Sequence, residues 1–349
     1  MATLTKTAIT TRKALKYSII FLVAIFILKI VWGVGQDIWR KIHPPSPLPP
    51  TVAFDKLPKL KFPEKEVLKL TYRLETIQGA LPQLVKISRV YFMPQKPPNL
   101  LALDKAKQKA RQMGFTTQLE KVSETTYRWI TPSTPPTVLE MDINNGNFHL
   151  RYQFENDQEL LTQKNLPTNE QAAQEAKKFL QTNGLLTDDL ATGSAEFDYL
   201  KYTSFDLVPA ISLSEADFVR VNLFRANLNG LKIFSPNPKK ALVSLLFSGN
   251  KQRGKRIIEI SYTYYSIDRN ISATYPLKPV ETAWQELQAN KGYVANLGQN
   301  ENKQITIRQV YLAYYDSEEP QTFLQPIYVF EGDHNFFGYI PAIAAEWSE

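Results

Sequence analysis

Cysteine is absent from all 349 residues. That removes disulfides, thiolate nucleophiles and cysteine-type zinc sites together. An exported chain of this composition must hold itself together by its core alone, which fits export in a bacterium without strong oxidative folding better than a eukaryotic secreted protein. Histidine is nearly as scarce: His43, His149 and His334 are the three, at no spacing that suits a metal. The 14 glycines build neither a phosphate-cradling loop nor the G-x-S-x-G elbow of a serine hydrolase. The acidic pairs Asp188-Asp189 and Glu318-Glu319 are adjacent in sequence, a pattern of solvated loops rather than of two carboxylates facing one another across a bond to be cleaved. Glu331, Asp333 and His334 gather near one turn, which reads first as a polar hairpin. These absences predict no catalytic residue, no metal site and no cofactor.

Positive charge is in excess, +7 formally, but it is unevenly placed. Residues 1–43 carry seven Lys/Arg and one Asp, so +6 of the +7 lies there and +1 is left for everything after. A nearly neutral body has little charge with which to neutralise phosphates, so nucleic acid is not an expected partner.

One long apolar run is present, Tyr17–Val34, broken only by Lys29. Eighteen helical residues span about 27 Å, close to the thickness of a hydrocarbon core. This predicts a single transmembrane helix over 17–39, with Tyr17, Lys29, Trp32 and Trp39 as its interfacial anchors in the lipid bilayer. Lys6, Arg12, Lys13 and Lys16 precede it without an acidic residue. The positive-inside rule then makes 1–16 a cytoplasmic tail and places the rest on the outer side of the plasma membrane. The competing readings are a cleaved signal with Ile19–Leu28 as its apolar region, and a buried core helix, which the basic flank disfavours. His43–Pro63 holds seven prolines. Residues 40–63 therefore read as an extended spacer, with a proline-rich docking segment as the sharper alternative.

Beyond 63 the chain repeats a pattern of one short helix followed by several strands. Leu101–Met113 has an apolar stripe and a following Gly114; Thr168-Asn-Glu-Gln171 is a capping box that opens a helix running to about Thr182; Pro279–Ala289 is a third helix. Alternating segments at 66–74, 86–93, 125–130, 137–143, 148–154, 196–202, 218–224, 231–234, 241–247, 255–267, 305–315, 323–330 and 336–343 read as strands. The expected class is α+β, with antiparallel sheets each packed by a short helix. The expected units are 64–160 and 161–349, the latter closing with a helix-plus-strands region from about 276.

Two features carry candidate binding chemistry. The loop around Lys251, Arg253, Lys255 and Arg256 concentrates positive charge suited to an anionic wall polymer, lipid headgroups or an acidic partner, or to a solvated hairpin tip. Tyr262, Tyr264, Tyr314 and Tyr315 form tyrosine clusters that suit either a stacking face or ordinary sheet packing.

The helix-then-meander units look like PepSY or cystatin-like domains. The segment PVETAWQELQANKGYV, followed by ITIRQVYLAYYDSEEPQTFLQPIYVFEG, is similar to the C-terminal domains of the YycH/YycI family. The matching positions are Ala283, Trp284, Leu287, Gly292, Tyr293, Tyr314, Tyr315, Leu324, Pro326, Tyr328 and Phe330. The resemblance implies a membrane-anchored extracytoplasmic regulator whose exported domains bind other proteins. The leading expectation is thus a non-catalytic protein acting by protein–protein contact in envelope regulation or assembly. A cell-wall polymer or peptide-binding module comes second and an envelope hydrolase third.

Overall fold

The computed structural model describes residues 16–18, 21–22, 25–36 and 49–349, except 66–67, 98, 205, 253 and 301–302. The chain divides into two compact units, Met1–Pro49 and Pro50–Glu349. In the first, residues 25–36 are helical with exposed side chains. Among the described residues no helix is long and apolar enough to cross a membrane. The single transmembrane helix expected over 17–39 is corrected accordingly. Tyr17 lies in helical residues 16–18 and Lys29 and Trp32 lie in 25–36, while Trp39 falls outside the described residues.

The second unit is mostly β, which corrects the α+β expectation. Its strands are β1 (Thr71–Leu74), β2 (Ile87–Phe92), β3 (Leu119–Lys121), β4 (Thr126–Ile130), β5 (Thr137–Asp142), β6 (Phe148–Tyr152), β7 (Ala195–Tyr202), β8 (Leu207–Pro209) and β9 (Phe218–Leu223). They continue as β10 (Ile233–Phe234), β11 (Val243–Ser248), β12 (Ile257–Tyr262), β13 (Asp268–Pro276), β14 (Tyr293–Asn296), β15 (Gln304–Tyr315), β16 (Phe323–Gly332) and β17 (Phe336–Pro341). The α-helices are short: α1 (Ala102–Gln112), α2 (Gln158–Thr162), α3 (Asn169–Thr182), α4 (Asp188–Ala191) and α5 (Val280–Gln288).

Two large sheets result. The nine-stranded sheet runs β3-β4-β5-β6-β12-β11-β9-β7-β8, antiparallel throughout. The eight-stranded sheet has the path β1-β15-β16-β17-β14, with β10 joined to β15 and β2 bridging β13 and β16. Its β1–β15 and β10–β15 pairings are parallel, again unlike the all-antiparallel expectation. The long apolar strands β11 and β16 are buried on both faces, whereas β6 alternates buried and exposed residues, as a strand with one wet face should.

Two helix-then-strands runs build the nine-stranded sheet. The last strand of each run, β6 and β12, pairs with the other, Leu150 opposite Ile260, so the sheet draws on residues from both sides of position 160. Both helices end in the same cap. Gly114 and Gly184 have positive φ, and their N–H groups reach Arg111 O and Gln181 O; Phe115 N–H and Leu185 N–H reach Ala110 O and Leu180 O. That is the Schellman arrangement, which satisfies carbonyls a helix end would otherwise leave bare and needs a residue without a Cβ penalty. Asn290 performs the same turn after α5 at φ 55°.

The start of α3 follows the capping-box pattern: Thr168 Oγ1 accepts from Gln171 N–H and the Gln171 side chain accepts from Thr168 N–H. Thr168→Ala is expected to lower stability by about 1 kcal/mol in chemical unfolding; an unchanged midpoint would mean that packing of Ala172, Ala176 and Leu180 holds the helix without its cap.

Residues 50–62, expected as part of a spacer, lie against the eight-stranded sheet. Val52 N–H bonds Thr274 O, Leu57 is fully buried, and Phe62 stacks on Tyr293 at 4.8 Å. The backbone of Leu57 exchanges hydrogen bonds with Trp347 and Glu349 at the far end of the chain. Aromatic and aliphatic residues between the prolines supply apolar surface that a free extended chain would leave in water.

Candidate functional site

A cavity of about 810 Å³ lies over the β6–β12 seam between α1 and α3. The helices pack small residues, Ala106 and Ala110 or Ala172 and Ala176, into one core cluster with Phe115, Leu150 and Ile260, while Phe179 and Ile257 at its edge stay half-buried. Leu150 and Tyr152 of β6 and Ile257 and Ile260 of β12 form the floor. Phe115, from the cap after α1, and Phe179, on α3, close the two sides. The rim is polar but largely uncharged: Gln112, Thr182 and Asn183 at the helix ends, Thr131, Ser133 and Thr137 between β4 and β5, and Gln252 on the β11–β12 hairpin.

Two residues of the expected basic loop, Lys255 and Arg256, reach this groove already paired. Arg256 grips Glu175 of α3 in a bidentate pair, with both N···O distances at 2.8 Å, and also donates to Ser248 O. The Arg256 hydrogen bonds hold the Glu175 carboxyl below the usual carboxylate range. Lys255 meets Asp157 at 2.6 Å. Burial opposes the charge on Asp157, but Lys255, the Tyr152 hydroxyl at 2.6 Å and the Leu160 amide outweigh it, and its pKa is lowered. Burial and the same carboxylate raise the Tyr152 phenol. Both cations therefore act as struts that fix the hairpin against α3 and the segment leading into α2, and they contribute almost no net charge to the groove. Lys251 is exposed, and Arg253 lies outside the described residues.

The expected tyrosines are packing residues. Tyr262 is buried, with its hydroxyl donating to Leu185 O at 3.0 Å, and stacks on Phe148 at 5.4 Å. Tyr314 is buried and donates to Arg89 O, and Tyr315 is fully buried against Phe62 and Tyr339. Burial pushes all three phenols up. None presents a ring face to solvent.

Tyr264 belongs to a buried charge node where the two sheets meet. The Arg225 guanidinium, 4.4 Å from the centre of the Tyr264 ring, donates to Asp189 Oδ2 at 2.6 Å, Asp316 Oδ2 at 2.8 Å and Tyr265 O at 2.9 Å. Thr187 and Tyr264 donate to the other Asp189 oxygen. Burial works against the Asp189 charge, yet Arg225 and these hydroxyls overcome it and lower its pKa. Asp316 is different: burial raises its pKa despite Arg225, and its Oδ1 has no hydrogen-bond partner. One arginine thus holds one well-solvated-by-protein carboxylate and one poorly served one. The adjacent acids Asp188 and Asp189 diverge, the first exposed and the second in this node.

The turn after β16 is likewise committed. Asp333 pairs twice with Arg308, and Glu331 accepts from the Tyr311 hydroxyl. Among the described residues no group of three or more His, Cys, Asp or Glu is placed to hold a metal ion.

Sequence reasoning found Lys255 and Arg256 but missed Phe115, Leu150, Phe179, Ile257 and Ile260. In sequence these are apolar residues at strand and helix spacing, indistinguishable from core; Phe115, Leu150 and Ile260 are buried in the structure, and Phe179 and Ile257 are the two that stay half-buried at the groove.

No family model matches the chain, and no curated protein matches it. Solved structures do match, among them an uncharacterized protein from Eubacterium rectale ATCC 33656 at 11% identity, covering 73% of this chain and 82% of that one with a TM-score of 0.39.

Proposed function

We propose that this chain is a non-catalytic binding module, acting by protein–protein contact in envelope regulation or assembly, that takes an extended peptide segment of a partner in the groove over the β6–β12 seam. The groove itself carries this reading: about 810 Å³ with an apolar floor and a rim of amides and hydroxyls beside the paired Glu175 and Arg256, Lys255 and the exposed Lys178. An apolar floor suits alternate side chains of an extended segment, and neutral hydrogen-bonding groups on both walls suit its backbone. An anionic polymer would need several uncompensated cations, whereas Lys255 and Arg256 are neutralised by Asp157 and Glu175, and Lys178 is a single exposed charge on the wall.

Selection of displayed random peptides against the full chain tests this. Enrichment of peptides with alternating apolar residues is expected, with binding lowered about 30-fold or more by Phe179→Glu, equivalent to about 2 kcal/mol. Enrichment of acidic peptides indifferent to Phe179→Glu, or no enrichment, would remove the reading.

A further inference from the structure

A second cavity, of about 360 Å³, lies along α1 on the side facing the β5–β6 turn. Lys105 and Lys109 line it from the helix and Lys96 from the segment before it. None of the three makes an ion pair with a described residue; Lys96 Nζ donates to Asn145 O across the cavity mouth at 3.4 Å. The one carboxylate on the wall, Asp142, is occupied: its Oδ1 accepts from the Asn144 and Asn145 amides and its Oδ2 from Thr125 Oγ1. Lys109 is the most confined of the three. Its Nζ sits 5.9 Å and 5.7 Å from the centres of the Phe148 and Tyr262 rings, and a Cβ on Gly146 would come within 3.7 Å of it.

We infer that this cavity binds a phosphate monoester, with Lys96, Lys105 and Lys109 as its counter-charges. Three lysines on the cavity wall against one carboxylate leave an excess of about two positive charges, matching a phosphate dianion. Lysine binds phosphate as a point charge, without the planar fork that arginine offers to phosphate and carboxylate alike. The cavity is larger than a bare phosphate and leaves room for the esterified group. Burial, reinforced by the neighbouring Lys96 charge, lowers the Lys109 pKa to about 8. A group that is costly to charge while the cavity is empty becomes favourable to charge once a dianion arrives.

The test follows the Lys109 ε-methylene by NMR across a pH titration of the full chain, with the signal assigned by Lys109→Arg. Midpoints are compared in chloride, inorganic phosphate and glycerol 3-phosphate at about 10 mM, a level that detects millimolar affinity. The Lys109 midpoint is expected to rise by about one unit or more with glycerol 3-phosphate, a tenfold change in proton affinity. Lys96→Gln/Lys105→Gln is expected to abolish that rise while leaving the fold intact. Co-sedimentation with phosphatidylcholine vesicles, with and without phosphatidic acid, separates the two sources of the ligand. A response to the soluble ester identifies a free metabolite-type ligand; lysine-dependent retention on phosphatidic acid alone identifies a lipid headgroup. A Lys109 midpoint indifferent to both phosphates, with no retention on phosphatidic acid, overturns the inference. So does an equal response in the double variant.

Discussion

Arg225→Met is expected to destabilise the second unit by about 3–5 kcal/mol in urea unfolding near neutral pH, because it strands Asp189 and Asp316 in the interior without their shared cation. The side chain of Arg225 is 7% exposed and those of its partners 9% and 6%, so water cannot take over its role. The pH dependence distinguishes this from simple loss of packing. In the parent chain, Asp189 has a lowered pKa, so its contribution is present above the ordinary carboxylate range and is lost as pH falls through the folded value. Asp316 has a raised pKa, so its contribution is present at low pH and is lost as pH rises from the unfolded value. Without the guanidinium both carboxyls follow burial and favour the protonated fold. The deficit of Arg225→Met should therefore shrink as pH falls from about 7 to about 4.5. The triple variant Arg225→Met/Asp189→Asn/Asp316→Asn should recover most of the loss, since replacing a whole buried charge set is far cheaper than breaking one. A deficit that is constant with pH and not rescued would mean that the node matters only through its volume.

Leu57→Ala is expected to cost about 3 kcal/mol, the range for truncating a fully buried leucine in a core that only partly collapses. Leu57 packs with Tyr275, Val280 and Ile343 in the main cluster of the eight-stranded sheet. Its backbone N–H and C=O pair with Trp347 and Glu349, so the first residues of the second unit and residues 347–349 are stitched to one another. Lys59→Ala, two residues away and exposed, should change stability by no more than about 0.5 kcal/mol. Equal, negligible effects at both positions would restore the reading of this stretch as a spacer that hangs free of the sheet.

The local elements were legible because their signals are local. Thr168 and Gln171 announce the start of α3, Gly114 and Gly184 stop two helices, and Asn144–Asn147 turns β5 into β6; each depends on backbone groups a few residues away. Segment 255–267 read as one strand, but the chain leaves the nine-stranded sheet after Tyr262 and joins the other sheet at β13, and alternation does not record which sheet a strand belongs to. Strand β3 is three residues long and β14 four, too short to show a period. The parallel pairing of β1 with β15 joins residues more than 230 positions apart, and no local pattern encodes a partner at that distance.

The candidate site divides in the same way. Sequence alone located charge, in the basic loop, and aromatic density, in the tyrosine clusters, because composition shows both directly. Only the tertiary structure decided what those residues are for. Folding brings Glu175 and Asp157 to Arg256 and Lys255 and turns the loop into a strut, while Tyr262, Tyr314 and Tyr315 go into the core. Conversely, the groove over the β6–β12 seam is made of residues that look like core in sequence, and Lys96, Lys105 and Lys109 look like ordinary surface charge. The physical reason is that helix caps and turns are settled by short-range sterics and hydrogen bonds. Whether an apolar residue is covered, or a charge is paired, depends on which distant element the chain lays beside it.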